Sequence, residues 1–207
     1  MKKYLVEFIG TFFLVFTVGC TVIPPGAGEL APLAIGASLM IMVFAGGHIS
    51  GGHFNPAVTL GVWMRGHCPT RDVLPYWLAQ LAAAFVAAWV MQFFKVQGSA
   101  HLLPIGVKGA LLAELLFTYA LVWVVLNTAT AKGTKDNSFY GLAIGFTIMT
   151  GAFAVGGVSG GAFNPAVATG ITLMGLSSWS NFWLFLVGEF GGAAAAALTF
   201  RLVNSDL

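Results

Sequence analysis

The chain predicts an all-α integral membrane fold, with six transmembrane helices and two re-entrant half-helices arranged as an inverted internal repeat. Three observations carry this reading. Of the 207 residues, 58% are hydrophobic and only 8% are charged, against roughly 25% charged residues in a soluble domain. Six apolar runs approach the length that crosses a bilayer, about 20 residues. The chain also repeats itself: Asn55-Pro56-Ala57 returns as Asn164-Pro165-Ala166, and Ser50-Gly51-Gly52, Phe54, Val58 and Gly61 return as Ser159-Gly160-Gly161, Phe163, Val167 and Gly170. Upstream, Leu33-Ala34-Ile35-Gly36 returns as Leu142-Ala143-Ile144-Gly145, and every pair keeps the spacing from Asn55 to Asn164, 109 residues. We expect one membrane domain over 1–207, with a first repeat over about 1–98 and a second over about 107–207.

The first span covers about 4–23. Lys2 and Lys3 ahead of an apolar run resemble a secretion signal, but the run has full-span length and carries Glu7, whose counterpart Glu114 lies deep in the chain. It reads as a retained helix. The remaining spans cover about 31–48, 72–94, 107–127, 139–157 and 179–203. Each Asn-Pro-Ala segment falls between two spans and stays apolar only to about Arg65 or Met174, near 16 Å of helix at 1.5 Å per residue. That is half a membrane. Three spans per repeat is an odd number, so the two repeats insert upside down relative to each other. With both termini in the cytoplasm, Lys2, Lys3, Arg65, Arg71, Lys132, Lys135 and Arg201 lie inside and Lys95 and Lys108 outside, as the positive-inside rule asks. The expected location is the plasma, or inner, membrane.

Asn is a strong helix N-cap, and Pro suits the first helical position, where its missing N–H would have been unpaired anyway. Each Asn-Pro-Ala therefore starts a half-helix. The glycines before it permit a non-helical approach, and irregular backbone at this depth survives only when buried in protein or facing water. A water-filled lumen is implied. Each half-helix N-terminus carries about half a positive charge, which at ~4 Å and an effective dielectric near 20 opposes a monovalent cation by roughly 2 kcal/mol. Two such ends give about a thousandfold barrier. The amides of Asn55 and Asn164 can donate to a passing oxygen and so break the proton-conducting order of a water file.

On these residues the chain resembles the aquaporin (major intrinsic protein) family over its whole length. The likeness extends to Glu7 followed by Gly10-Thr11-Phe12, Glu114 followed by Phe117-Thr118, His48-Ile49-Ser50-Gly51-Gly52-His53 before the first motif, and Gln80 in the third span. The resemblance implies that Glu7 and Glu114 hold the half-helix loops by accepting backbone N–H groups. It implies a homo-oligomer in the lipid bilayer, a tetramer by analogy, with one pore per monomer. It places the selectivity filter at Ile35, Ala152, Gly161 and Val167. Here the chain departs from the common pattern, because family members usually carry Arg where Val167 stands. Water-specific members add an aromatic and a His, which these positions lack. In this it resembles a subset of plant vacuolar aquaporins and certain bacterial members. A wider, apolar constriction is expected.

Other polar residues have two readings. His53 either lines the vestibule or fixes its own loop. Glu189 stands where the family usually has Pro, and its partner at the repeat spacing is Gln80. An intramembrane acid is a functional candidate, as a pH-sensitive group or a substitute for lost filter polarity. The preferred reading is a protonated or hydrogen-bonded acid that serves the second loop as Gln80 serves the first. His48 is expected to cap the second span. The four histidines lie on separated loops with no acidic helper, so no metal site is expected. Cys20 and Cys68 read as packing residues. The net charge of +2 is scattered and gives no nucleic-acid surface. No cofactor is needed, and no nucleophile, base and orienter can be assembled into an enzyme. The expected function is passive passage of water or small neutral solutes (glycerol, urea, ammonia, hydrogen peroxide or metalloid hydroxides) with ions excluded. The alternative is a secondary active transporter, whose inverted repeats and broken helices look similar.

Overall fold

A computed structural model describes residues 1–95 and 100–204. The expected repeat boundary near 98 and the last residues of the second repeat lie outside the described residues. Six helices are long and apolar enough to span a membrane: α1 (Lys2–Val22), α2 (Ala31–Ser50), α4 (Thr70–Met91), α5 (Val107–Ala129), α6 (Tyr140–Ser159) and α8 (Phe182–Val203). Between them lie two short helices, α3 (Pro56–Met64) and α7 (Pro165–Leu173), of nine residues each. At 1.5 Å per residue each is about 14 Å long, half the hydrocarbon thickness. The described residues contain no strand.

The helix ends follow from local chemistry. α2 and α6 stop at Gly51 and Gly160, whose φ values of 89° and 97° are left-handed and whose N–H groups close onto Gly47 and Gly156 carbonyls at 2.8 and 2.9 Å. Glycine meets this conformation without the Cβ penalty of other residues. His48 lies exposed in the last turn of α2, and the cap is made by Gly51 rather than by its imidazole. α4 starts earlier than the hydropathy suggested because Asp72, in its first turn, is gripped by Lys3 and by the Tyr4 hydroxyl at 2.8 Å. The sixth span was expected from 179, but Trp179–Asn181 is a 3-10 turn, capped at Ser178 by its own side chain. α8 begins after it.

Packing is interlocked across the two repeats. α1 lies on α4, α5 on α8, and α2 crosses α6. At that crossing a Cβ on Gly36 would sit 2.7 Å from the Gly145 carbonyl, so the two backbones touch. Small residues permit such approach where lipid provides no hydrophobic drive between helices. The half-helices exchange partners, with α3 packing on α8 and α5, and α7 on α4 and α1. Large apolar side chains such as Leu5, Phe85, Leu112 and Phe153 stay exposed on the outer surface, as a lipid-facing belt requires.

Candidate functional site

The loop before each half-helix is held by a glutamate and a serine. Glu7 and Glu114, on the first helix of each repeat, are fully buried. Glu7 accepts His53 N–H at 3.0 Å and Phe54 N–H at 2.6 Å, and Glu114 accepts Ala162 N–H at 3.1 Å and Phe163 N–H at 2.7 Å. Ser50 and Ser159 donate to the same carboxyls at 2.7 and 2.6 Å and accept the N–H of Gly52 and Gly161, each at 3.1 Å. These bonds take up the N–H groups of the loop.

Phe54 and Phe163 have φ of 49° and 48°, a left-handed conformation that costs a non-glycine residue about 1–2 kcal/mol. Their rings are buried at 1% and 0% exposure, and the burial offsets the strain. The turn aims each carbonyl at the other repeat. Asn55 Nδ2 donates to Phe163 O at 2.8 Å and Asn164 Nδ2 to Phe54 O at 2.9 Å. Each Asn Oδ1 meanwhile caps its own helix, Asn55 accepting from Ala57 and Val58 at 2.8 and 3.3 Å, and Asn164 from Ala166 and Val167 at 2.9 and 3.4 Å. Pro56 and Pro165 occupy the first helical position, and Ala57 and Ala166 have no exposed surface. One amide hydrogen of each Asn is committed by these bonds, and one stays available.

Both Asn side chains line a cavity of about 50 Å³ between the repeats, together with His53, Ile35, Ala152, Gly161 and Val167 among others. A water needs about 10–15 Å³ of such space, so a short file of waters fits. Much of the wall is aliphatic, from Leu14, Val18, Leu39, Leu121 and Ile148. His53 and Val125 are shared with a wider cavity of about 280 Å³ toward Lys3 and Asp72. On the opposite side Ile35 and Ala152 are shared with one of about 430 Å³ toward His101 and Ser177. The central cavity thus shares walls with both of the wider ones.

His53 lines the central cavity and the wider one toward Lys3, and its ring is also held inside the protein. Its ring packs against Tyr76, with centroids 5.0 Å apart, and its Nδ1 lies 3.1 Å from Thr59 Oγ1. The Thr59 hydroxyl donates to Asn55 O at 3.0 Å and accepts from Gln80 at 3.1 Å. Its remaining lone pair suits an Nδ1–H, which leaves His53 Nε2 an acceptor. Gln80 also donates to Glu7 at 2.8 Å, and Glu189 accepts Asn164 N–H at 2.9 Å. Sequence reasoning missed Tyr76, which donates to Ser50 O at 2.6 Å, and Trp77, which donates to Pro56 O at 3.0 Å. Their contacts join residues more than 20 positions apart, and no local pattern announces them. Beside the cavity toward Lys3 and Asp72, burial and then the Arg65 charge hold the His67 imidazole below its ordinary value, and burial and then Asp72 push the Cys68 thiol up. Among the described residues no group of three metal-ligating side chains comes together.

Fold and site together define a membrane channel whose passage runs between two tip-to-tip half-helices. The family model for the major intrinsic protein matches residues 1–200. The chain is 37% identical to aquaporin NIP1-4 of Oryza sativa subsp. japonica, covering 99% of this chain and 77% of that protein. It is also 37% identical to glycerol uptake facilitator protein-like 6 of Lactiplantibacillus plantarum, each chain covered completely, at 100%. Aquaporin AqpM of Methanothermobacter thermautotrophicus is 31% identical, with 99% of this chain and 98% of that one covered. The X-ray structure of the aquaglyceroporin from Plasmodium falciparum superposes with a TM-score of 0.81 at 22% identity, over 98% of this chain and 96% of that one, a likeness of fold. The chain belongs to the major intrinsic protein family, and it is a passive channel for water or small solutes, not an enzyme.

Proposed function

We propose that each monomer conducts small uncharged solutes as well as water through the passage between the half-helices, and rejects ions. The observation that carries this is the central cavity, whose wall holds both Asn amides and all four of Ile35, Ala152, Gly161 and Val167. Asn55 and Asn164 orient the permeant by donating to its oxygen, while the converging helix N-termini repel cations. Ile35, Ala152, Gly161 and Val167 form an apolar size limit. With no arginine in that ring, the half-helices carry more of the cation barrier, and a solute that brings its own hydroxyl or amide groups still meets Asn amides and loop carbonyls. The likeness to a glycerol uptake facilitator supports a polyol among the permeants.

The working form is a homotetramer in the plasma membrane, a single channel domain with both termini cytoplasmic. The lysine and arginine distribution supports that orientation. A panel of water, glycerol, urea, ammonia and hydrogen peroxide in proteoliposomes tests the reading. Non-saturating flux of at least one small neutral solute above empty liposomes is expected. Flux that saturates and follows an imposed proton gradient would indicate the transporter instead.

A further inference from the structure

The two repeats differ at the buried position beside the loop-holding glutamate. In the first, the Gln80 amide donates to Glu7 Oε2 at 2.8 Å. In the second, the residue at the same repeat position is Glu189, fully buried on the turn of α8 packed against Glu114: a Cβ on its neighbour Gly188 would lie 3.0 Å from Glu114 Cβ, and the two carboxyls hold the adjacent N–H groups of Phe163 and Asn164. Glu189 Oε1 accepts Asn164 N–H at 2.9 Å, but Oε2 meets no donor among the described residues. Glu114 already accepts three hydrogens, from Ser159, Ala162 and Phe163. Two acceptor-only carboxylates in contact in a dry interior repel each other and lose hydration, so such a pair retains a proton. Glu114, with three donors aimed at it, is set up as the ionised partner. Glu189 Oε2, with none, is where the proton fits.

We propose that Glu189 is a neutral, proton-holding positioning residue. Its carboxyl donates to Glu114, as the Gln80 amide donates to Glu7, and its other oxygen holds the backbone of Asn164. No other charge competes. α3 and α7, which pack on α8, carry no titratable side chain, and of Lys108, Glu114 and Tyr119 on α5 only Glu114 acts on Glu189. The effect on conduction through Asn164 rests on the pore reading above; the proton does not.

The test compares the full-length wild type with Glu189→Gln and Glu189→Ala. In the infrared, the difference between wild type and Glu189→Gln at neutral pH should contain the C=O stretch of a protonated carboxylic acid, shifted in heavy water. Loss of carboxylate bands alone would overturn the assignment. The folded wild type keeps one proton that an unfolded glutamate gives up above about pH 4.3. Relative to Glu189→Gln, its folding equilibrium should therefore weaken about tenfold per pH unit between about pH 5 and neutrality. Parallel curves would contradict the proposal. In proteoliposomes Glu189→Ala should lower solute flux on the order of tenfold, as an unsatisfied Asn164 N–H frees the loop, and Glu189→Gln should recover most of it. Equal flux in the two variants would remove the positioning role. A wild type without flux would count against the pore reading, while the spectroscopic and pH results still decide the proton.

Discussion

Asn55 serves two repeats with one side chain: its carbonyl caps its own half-helix, and its amide reaches Phe163 of the other. Replacing it with Asp separates these roles, because Asp caps a helix as well as Asn does but cannot donate and brings a negative charge. We expect Asn55→Asp to fold and to leak cations, since one charge at the tip outweighs the roughly 2 kcal/mol repulsion of a helix end; a pH-sensitive dye inside liposomes reads the leak. Val167→Arg works in the opposite direction, narrowing and charging the ring, and should cut glycerol and urea flux. Unchanged flux would place the constriction elsewhere. His67 gives a pH dependence outside the spans. Its folded-state value lies below the ordinary histidine value of ~6.5, so its contribution to stability is complete above that pH and is lost as acid protonates it. His67→Gln should flatten the acid side of a thermal-stability profile. Asn, Pro and the two glutamates were legible in the sequence because their chemistry is local or duplicated. Phe54 and Phe163 were not, since nothing about an aromatic residue announces a left-handed backbone.

The half-helices are held by glycine contacts with the opposite repeat. A Cβ on Gly61 would lie 2.4 Å from Val122 Cγ1, and one on Gly170 would lie 2.4 Å from Val15 Cγ1. Each valine sits on the first helix of the other repeat. Gly61→Ala and Gly170→Ala should over-pack these contacts at a cost of about 1–3 kcal/mol, seen as a lowered unfolding temperature in detergent. Gly133→Ala, where a Cβ meets nothing within 4 Å, is the control and should not move it. The repeat made both glycines visible as a matched pair. Their partners were invisible, because an exchange of half-helices between repeats is a choice of topology and leaves no trace in spacing. The six spans were legible from hydropathy, with ends displaced where side chains such as Asp72 and Ser178 set the boundary.

At the scale of the molecule, odd-numbered repeats enforce opposite orientation, and the cationic residues then choose a side. Lys135→Cys should react with an impermeant maleimide only from the cytoplasmic face, and Lys108→Cys only from the outside; labelling of both from one face would refute the assigned topology. The repeat told of two related halves, but not that each would be left incomplete. The Asn55 amide ends on the carbonyl of Phe163 and the Asn164 amide on that of Phe54, at 2.8 and 2.9 Å. During synthesis, the first repeat leaves the ribosome with its tip unpaired and must wait in the lipid for the second.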